Sequence, residues 1–423
     1  MLMIEPLTAN TQAILLLTAP LLAGRNGASV ELLKSSEYNR LARLLREKQL
    51  QPADLLGPSA SAAVQLLAPI FGQQRLDALL ARGFLLSQAV DRWAARSIWV
   101  VSRADAAYPR RLKTRLREDA PPVIYGCGDA ALLENGGLAV VGSRHVDEAL
   151  TDYTEELGRT VAAAKRSIVS GAAKGIDKAA MHGALQAGGS VVGVMADSLE
   201  RAALARDNRE PLMDGRLVFI SAYDPAAGFN VGHAMNRNKA IYALADAALV
   251  VTADFEKGGT WAGAIEQLER LRFVPVFVRN GATAGRGNSA LIRRGGRPWP
   301  EPTTTNELEE TLSSASAEMA AEPKQEKLSF TVREEAPFEN GSADGTPRSG
   351  EHPLSPAEIL LHAVETIVMR ELSEPRSEAE VATLLQVSKA QTKAWLQQLI
   401  KQGTIEKLLK PTRYRTVGTK SLL

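Results

Sequence analysis

A chain of 423 residues with 45% hydrophobic content is too long for one ordinary domain and apolar enough for sizeable cores, which predicts two to four domains. Its single cysteine, Cys127, excludes an intrachain disulfide framework and a thiolate metal cluster and fits a reducing cytosol. The net charge of +2 is unevenly spread: residues 301–350 carry 11 acidic and 4 basic side chains, a net of −7, so the rest carries +9 and favours a polyanionic partner.

Residues 1–98 are rich in Leu, Ala, Gln and Arg, with helical spacing at Leu41, Leu44 and Leu45 and again at Leu76, Leu79 and Leu80. They predict a small helical domain for packing or interaction, because no cluster of acids, His or Cys stands in it. The apolar stretch from Ile14 to Ala23 follows a single charge, Glu5, with no Lys or Arg before it. It is too short to span a bilayer, which needs about 20 residues, so it reads as a core helix. With no other candidate anchor, a soluble, cytoplasmic protein without membrane contact is expected.

Across residues 99–300 short β-branched runs alternate with helical segments. The runs are Ile98 to Val101, Leu138 to Val141, Ile168 to Val169, Val191 to Met195, Leu217 to Ile220, Ala248 to Val251 and Val274 to Val278. Such alternation predicts an α/β fold, Rossmann-like, with a mostly parallel sheet and helices on both faces. Cys127 reads as a small half-buried residue in a turn. Two of the runs stop at glycine and open into helical patterns: Val141-Gly142-Ser143-Arg144 and Ser170-Gly171-Ala172-Ala173-Lys174-Gly175-Ile176-Asp177. Turns of this kind aim backbone N–H groups and a helix N-terminus at the space above a sheet, where anions bind. Arg144 and Lys174 add one cation to each turn, so a phosphorylated partner is expected.

Residues 301–352 are rich in Glu, Ser, Thr, Pro and Ala without periodicity, which predicts an acidic flexible linker. Helical spacing resumes in 353–423, from Ile359 to Met369, Glu378 to Leu385 and Ser388 to Ile400. Ser388 as N-cap after Gln386-Val387 makes the last two a helix-turn-helix. Gly403 to Glu406 and Tyr414 to Val417 supply a two-stranded wing. From Ser388 onward there are eight basic residues and one acidic. A C-terminal winged-helix domain is expected, with Lys389, Lys393, Arg413 and Arg415 as candidate DNA contacts.

Gly142-Ser143-Arg144, followed by Ser-Gly-x-Ala-x-Gly-Ile-Asp at 170–177 and His182, resembles the DNA-processing protein DprA (Smf) family. Further matches occur in family order at Asp105, Tyr108-Pro109, Leu112 and Pro122 to Tyr125, then at Arg237-Asn238-Lys239, where the family has Arg-Asn-Arg, and at Gly287-Asn288 with Leu291-Ile292. The resemblance covers roughly residues 100 to 300. It implies a single-stranded-DNA-binding recombination mediator that protects incoming or processed DNA, dimerises through the Rossmann-like domain and loads the RecA recombinase, as in natural transformation. On that basis the DNA-phosphate-binding set comprises Gly142, Ser143, Arg144, Ser170, Gly171, Lys174, Gly175, Arg237, Asn238, Lys239 and Asn288, with the glycines letting the strand approach the backbone.

Asp177 reads as the N-terminal cap of its helix and His182 as a structural histidine. No Ser-His-Asp order, paired-carboxylate spacing or metal-ligand cluster stands out, so no catalysis, cofactor or metal is expected. Aromatic residues make up 5% of the chain. Tyr223, Phe229, Phe255 and Trp261 are the stacking candidates, and binding is expected to lean on charge. The sequence departs from the family at Lys257 to Glu266, where Ser-Gly-Ser-Leu is usual, at Ser221-Ala222-Tyr223 and at Met235. Gly258-Gly259-Thr260 with Glu266 resembles instead the Pro-Gly-Gly-x-Gly-Thr-x-x-Glu signature of the lysine-decarboxylase-like nucleotide hydrolases, which cleave N-glycosidic bonds, but the proline is missing and Glu266 lies six residues after Thr260. A nucleotide hydrolase or sensor is therefore the alternative, and a duplex-reading transcription factor a third.

Overall fold

The computed structural model describes residues 7–21, 30–58, 60–281 and 283–321, and further on 372, 375–384, 392, 395–397, 399–400, 404–408 and 413–416. They belong to two compact units, residues 1–327 and 328–423.

The first unit begins with five helices: α1 (Ala9–Thr18), α2 (Ser35–Glu47), α3 (Ala60–Phe71), α4 (Gln73–Leu80) and α5 (Gly83–Ala94). The Thr8 hydroxyl caps α1 by accepting from the Thr11 amide, and Ala13 to Leu17 are buried without a break, so this stretch is a core helix as expected. Leu17, Leu41, Leu45, Leu67, Phe71, Leu76 and Leu79 form a small core among the helices. The expected divide at residue 98 is not clean, however. Ile14, Leu15, Leu16 and Trp93 pack in one apolar cluster with Leu138 and Val140 of the sheet, so α1 and α5 belong to the core of the sheet domain.

Within the helical segment Glu37 is held in place by Arg75, Nη1 to Oε1 at 2.8 Å. The guanidinium hydrogen bonds, with the Lys34 amide, pull the Glu37 carboxyl from 4.5 down to about 2. A depressed carboxylate stabilises the fold above its unfolded value and loses that contribution as pH falls through the folded one. Wild type should therefore lose about 1 kcal/mol more than Glu37→Gln between pH 4.5 and 2, the small figure reflecting solvent screening. Parallel acid-melting curves for the two proteins would reject this.

Nine strands form the sheet: β1 (Ile98–Ser102), β2 (Val123–Gly128), β3 (Leu138–Val141), β4 (Ile168–Ser170), β5 (Val191–Met195), β6 (Leu217–Ser221), β7 (Ala247–Val250), β8 (Val276–Val278) and β9 (Arg297–Pro298). Their spatial order is β1-β2-β6-β5-β4-β3-β7-β8-β9. All pairings from β6 across to β9 are parallel, while β1 with β2 and β2 with β6 are antiparallel. The mostly parallel α/β fold is thus present, with an antiparallel pair along one side. Between and after the strands run α6 (Arg110–Leu116), α7 (Glu148–Ala163), α8 (Ile176–Gln186), α9 (Leu199–Leu204), α10 (Arg206–Met213), α11 (Val231–Leu244), α12 (Gly258–Glu266), α13 (Arg286–Arg293) and α14 (Thr305–Ala321).

Alternate residues of β3 feed opposite layers, as strand geometry requires. Leu138 and Val140 join Leu157 of α7 and Ala180 of α8, whereas Ala139 and Val141 join Ile241 of α11, Trp261 of α12 and Leu291 of α13. Cys127 is not a half-buried turn residue. It is a strand residue of β2, 1% exposed, and burial pushes its thiol up to about 12. The linker expected from residue 301 also begins too early. Leu308, Leu312 and Ala315, spaced along one face of α14, are buried, Glu307 and Thr304 cap its start, and Arg166 pairs with Glu309 at 2.5 Å.

In the second unit α15 (Glu378–Leu384) follows a Ser377–Glu380 capping box, and β10 (Ile405–Leu408) pairs antiparallel with β11 (Arg413–Thr416). Leu372, Val381, Leu396, Leu399, Ile405 and Tyr414 form its core. The hairpin overlaps the two segments expected to form a wing, Gly403 to Glu406 and Tyr414 to Val417, and Arg413 and Arg415 stand on β11. Lys389, Lys393, Ser388 and the expected helix from Ile359 to Met369 lie outside the described residues. Among the described residues no helix is long and apolar enough to cross a membrane.

Candidate nucleic-acid interface

From β3 the chain winds outward through β4 and β5 to β6, then returns to place β7 against the other edge of β3. The segments leaving the adjacent ends of β3 and β7 run to opposite layers, α7 to one and α12 to the other. In an open parallel sheet this reversal point opens a crevice at the carboxyl ends of the strands. Here it is a cleft of about 340 Å³ lined by Gly142, Ser143, Arg144 and His145 after β3, by Asp254 and Lys257 to Thr260 after β7, and by Phe229, Val231, Met235 and Asn238 along the start of α11.

Two hydrogen bonds pin its walls together: Thr260 Oγ1 donates to the Gly142 carbonyl at 2.8 Å, and Asn238 Nδ2 donates to the Gly259 carbonyl at 3.1 Å. Arg144 is exposed and lies over the Phe229 ring, 5.4 Å from its centroid, while Phe229 is itself 59% exposed. Lys257 is exposed on the opposite turn. Lys174 is exposed beside Ala173, which lines the cleft. Gly142, Ser143, Arg144, Arg237 and Asn238 are thus gathered at one place, with Lys174 next to them.

Arg237 also lines the cleft, but it and several other expected phosphate ligands are engaged in internal contacts. The Arg237 side chain is 7% exposed, with Nη1 donating to the Val194 carbonyl at 3.2 Å and standing 3.8 Å from Asp177 Oδ2. Burial pushes the Arg237 guanidinium below its ordinary pKa and the Asp177 carboxyl above its own, each opposed by the partner's charge. Asp177 is not the cap of α8, a position held by Gly175; it sits in the first turn and accepts from the Ala173 amide at 3.4 Å. Lys239 emerges two residues after Arg237, about 200° round the helix. It pairs with Asp119 at 3.6 Å and Glu266 at 3.8 Å, away from the cleft. Asn288 is fully buried, bracing the loop after β7 through the Ala253 amide at 2.9 Å and the Val251 and Arg279 carbonyls at 2.9 and 2.8 Å. Ser170 is buried and donates to the Val140 carbonyl at 2.6 Å.

The glycines also serve packing more than strand approach. A Cβ on Gly171 would collide with Arg237 Nη1, so this glycine makes room for the guanidinium. Gly175 adopts φ 78°, and a Cβ there would press on the Ser143 carbonyl oxygen. His182 is a surface residue, 52% exposed, with Nδ1 3.0 Å from Glu155 and Nε2 3.2 Å from Gln186.

Of the other aromatic candidates, Tyr223 stacks on His233 with centroids 3.6 Å apart, and Trp261 is buried. Gly258, Gly259 and Thr260 line the cleft, but Glu266 is engaged by Lys239 and Arg270 and does not. Sequence reasoning noted Lys257 only as part of a departure from the family pattern, without making it a phosphate ligand, and missed Asp254 as a cleft residue. The signal was present, since Lys257 precedes a glycine pair that opens a helix soon after β7, the same strand-to-glycine-to-helix pattern as the first two turns. Among the described residues no group of three or more His, Cys, Asp or Glu is placed to hold a metal ion.

The model of the family described as DNA recombination-mediator protein A matches residues 99–309, about half of the chain. The DNA processing protein DprA of Bacillus subtilis is 27% identical over 233 residues, covering 53% of this chain and 76% of that protein. A putative DNA processing protein DprA of Mycobacterium tuberculosis is 31% identical over 238 residues, covering 52% of this chain and 56% of that protein. The X-ray structure of DNA processing protein A from Streptococcus pneumoniae superposes with a TM-score of 0.53 at 21% identity, over 72% of this chain and 98% of that one, a likeness of fold.

Proposed function

The chain belongs to the DNA recombination-mediator protein A family, and from that premise we propose that it binds single-stranded DNA in the cleft between β3 and β7 and acts there without catalysis. One observation carries the reading: two exposed cations on separate strand-end turns, Arg144 and Lys257, face one cleft without an ion-pair partner among the described residues. A third, Lys174, stands on the adjoining turn. Cations spaced in this way neutralise successive phosphates and bind with little regard to sequence.

In this reading the bound strand is incoming or processed DNA, protected and then handed to the RecA recombinase, as in natural transformation. The protein works in the cytoplasm as a homodimer, and its second unit adds a winged-helix contact through Lys389, Lys393, Arg413 and Arg415. The family match and the basic balance outside residues 301–350 support it. The nucleotide-hydrolase alternative loses its one chemical argument, because Glu266 does not line the cleft.

Anisotropy titrations with single strands, duplexes and nucleoside monophosphates, with product analysis of the last, test the proposal. Single strands are expected to bind tightest, with affinity falling steeply as salt rises. Base release from a monophosphate, or preference for one duplex sequence, would overturn it.

A further inference from the structure

Asn238 pins α11 to the Gly259 carbonyl two turns in, but the first turn, which brings Phe229 and Val231 to the cleft, rests on a ring stack outside the lining. The Asn230 side chain caps that turn by accepting from the His233 amide at 3.2 Å. The His233 imidazole lies nearly flat on the Tyr223 ring, with planes 11° apart, and the Tyr223 hydroxyl donates to the His233 carbonyl at 3.5 Å. Ring and backbone are thus both held by the segment after β6. This place suits the imidazole only without charge. Its Nδ1 is buried and has no hydrogen-bond partner among the described residues. A bare ring nitrogen tolerates that, whereas a buried, charged N–H without an acceptor is costly. A cation there also stands in the first turn of a helix, where the peptide dipoles repel it. Of the neighbouring charges, Asp197 after β5 favours the imidazolium. It is shared with Arg237, one turn along α11, which also faces Tyr223, Asp177 and, from the turn after β3, Arg144. Burial prevails and holds the imidazole below its ordinary 6.5.

We propose that Tyr223 and His233 are the positioning pair of the cleft: their stack seats the first turn of α11, and with it Phe229 against Arg144, only while the imidazole is uncharged, so that acid loosens the grip on a strand. The inference rests on the single-strand reading of the cleft and adds a control that acts from outside its lining. An imidazole depressed in the stacked state supports that state above pH 6.5 and withdraws its support as pH falls from 6.5 toward the stacked value. The sign is diagnostic, because a histidine that gains charge beside a phosphate ordinarily tightens binding.

The test follows oligodeoxythymidine affinity of the full chain at constant ionic strength from about pH 7.5 to about pH 5.5. Over that span wild type is expected to weaken about fivefold relative to His233→Phe, which keeps a flat, uncharged ring on Tyr223 throughout. His145 lines the cleft and titrates in both proteins, so the difference between them belongs to His233. Tyr223→Ala should bind weakly at every pH and Tyr223→Phe should keep the wild-type profile, which separates positioning from a lost fold. Without DNA, the His233 imidazole proton resonance, assigned by its loss in His233→Phe, should be shifted upfield by the tyrosine ring and titrate below 6.5. Matching pH profiles for wild type and His233→Phe, a wild type that tightens more than His233→Phe in acid, or an unshifted resonance titrating at or above 6.5 would overturn the positioning pair and leave the single-strand reading standing. A wild type that fails to bind the strand at neutral pH would overturn both.

Discussion

Arg237→Ala is expected to destabilise the protein by about 3–5 kcal/mol, because it leaves the buried Asp177 carboxylate with backbone amides alone and no neutralising charge. Against a typical total of roughly 5–15 kcal/mol this is severe, and the thermal midpoint should fall by many degrees. Burial already raises the Asp177 pKa, and removing the guanidinium raises it further. A carboxyl with a raised folded pKa favours the fold below its unfolded value and loses that contribution as pH climbs through the folded one. The deficit of Arg237→Ala relative to wild type should therefore be smallest at acid pH, open as pH climbs past the wild-type folded value, which lies above the ordinary 3.8, and grow toward neutrality. Removing both charges, in Asp177→Asn with Arg237→Met, should recover much of the loss. A neutral thermal midpoint combined with abolished DNA binding would return Arg237 to the role of a phosphate ligand.

Arg144→Ala should reduce single-strand affinity by about tenfold or more and lower the salt slope by about 0.7, the share of one phosphate on a single strand. Its effect exceeds that of an ordinary surface lysine because the same guanidinium also covers Phe229. Lys257→Ala should lower the slope by the same amount with a smaller affinity loss, and Lys239→Ala, whose ammonium is held by Asp119 and Glu266, should change neither. All of these are surface or half-buried positions whose removal leaves the core intact. Unchanged slopes in both Arg144→Ala and Lys257→Ala would move the DNA elsewhere.

The parallel strands from β3 to β8 were legible because each is a buried apolar run bounded by glycine or a helix start, whereas the two-residue β9 carries no such signal. β2 was not legible either, although Val123 to Tyr125 match the family pattern. Gly126 and Gly128 interrupt its periodicity, and the first is there because Trp99 lies where a side chain would stand. α14 was hidden by composition: acidic and small residues outnumber the Leu308, Leu312 and Ala315 stripe that docks it. In the site, motif position found the turns but not the direction of each side chain. Arg237 falls on one stripe with Ile241 and Leu244, four and seven residues on, so helical periodicity already pointed it inward. Ser170 and Asn288 are short polar groups that satisfy backbone partners inside the loops, and nothing in local sequence separates such a brace from a ligand contact. Phe229 was already a stacking candidate, whereas the place of Asp254 and Lys257 at the cleft is legible only once the fold brings three separate loops around one opening.

At the far margin of the sheet β9 has two residues, and its second is Pro298. Proline offers no amide hydrogen, and so short a strand gives an incoming chain almost nothing to hydrogen-bond. Copies of this protein therefore cannot grow into a continuous ribbon across that border. Association on this side has to proceed through side-chain surfaces, whose complementarity can be tuned or abolished residue by residue without disturbing the ladder beneath.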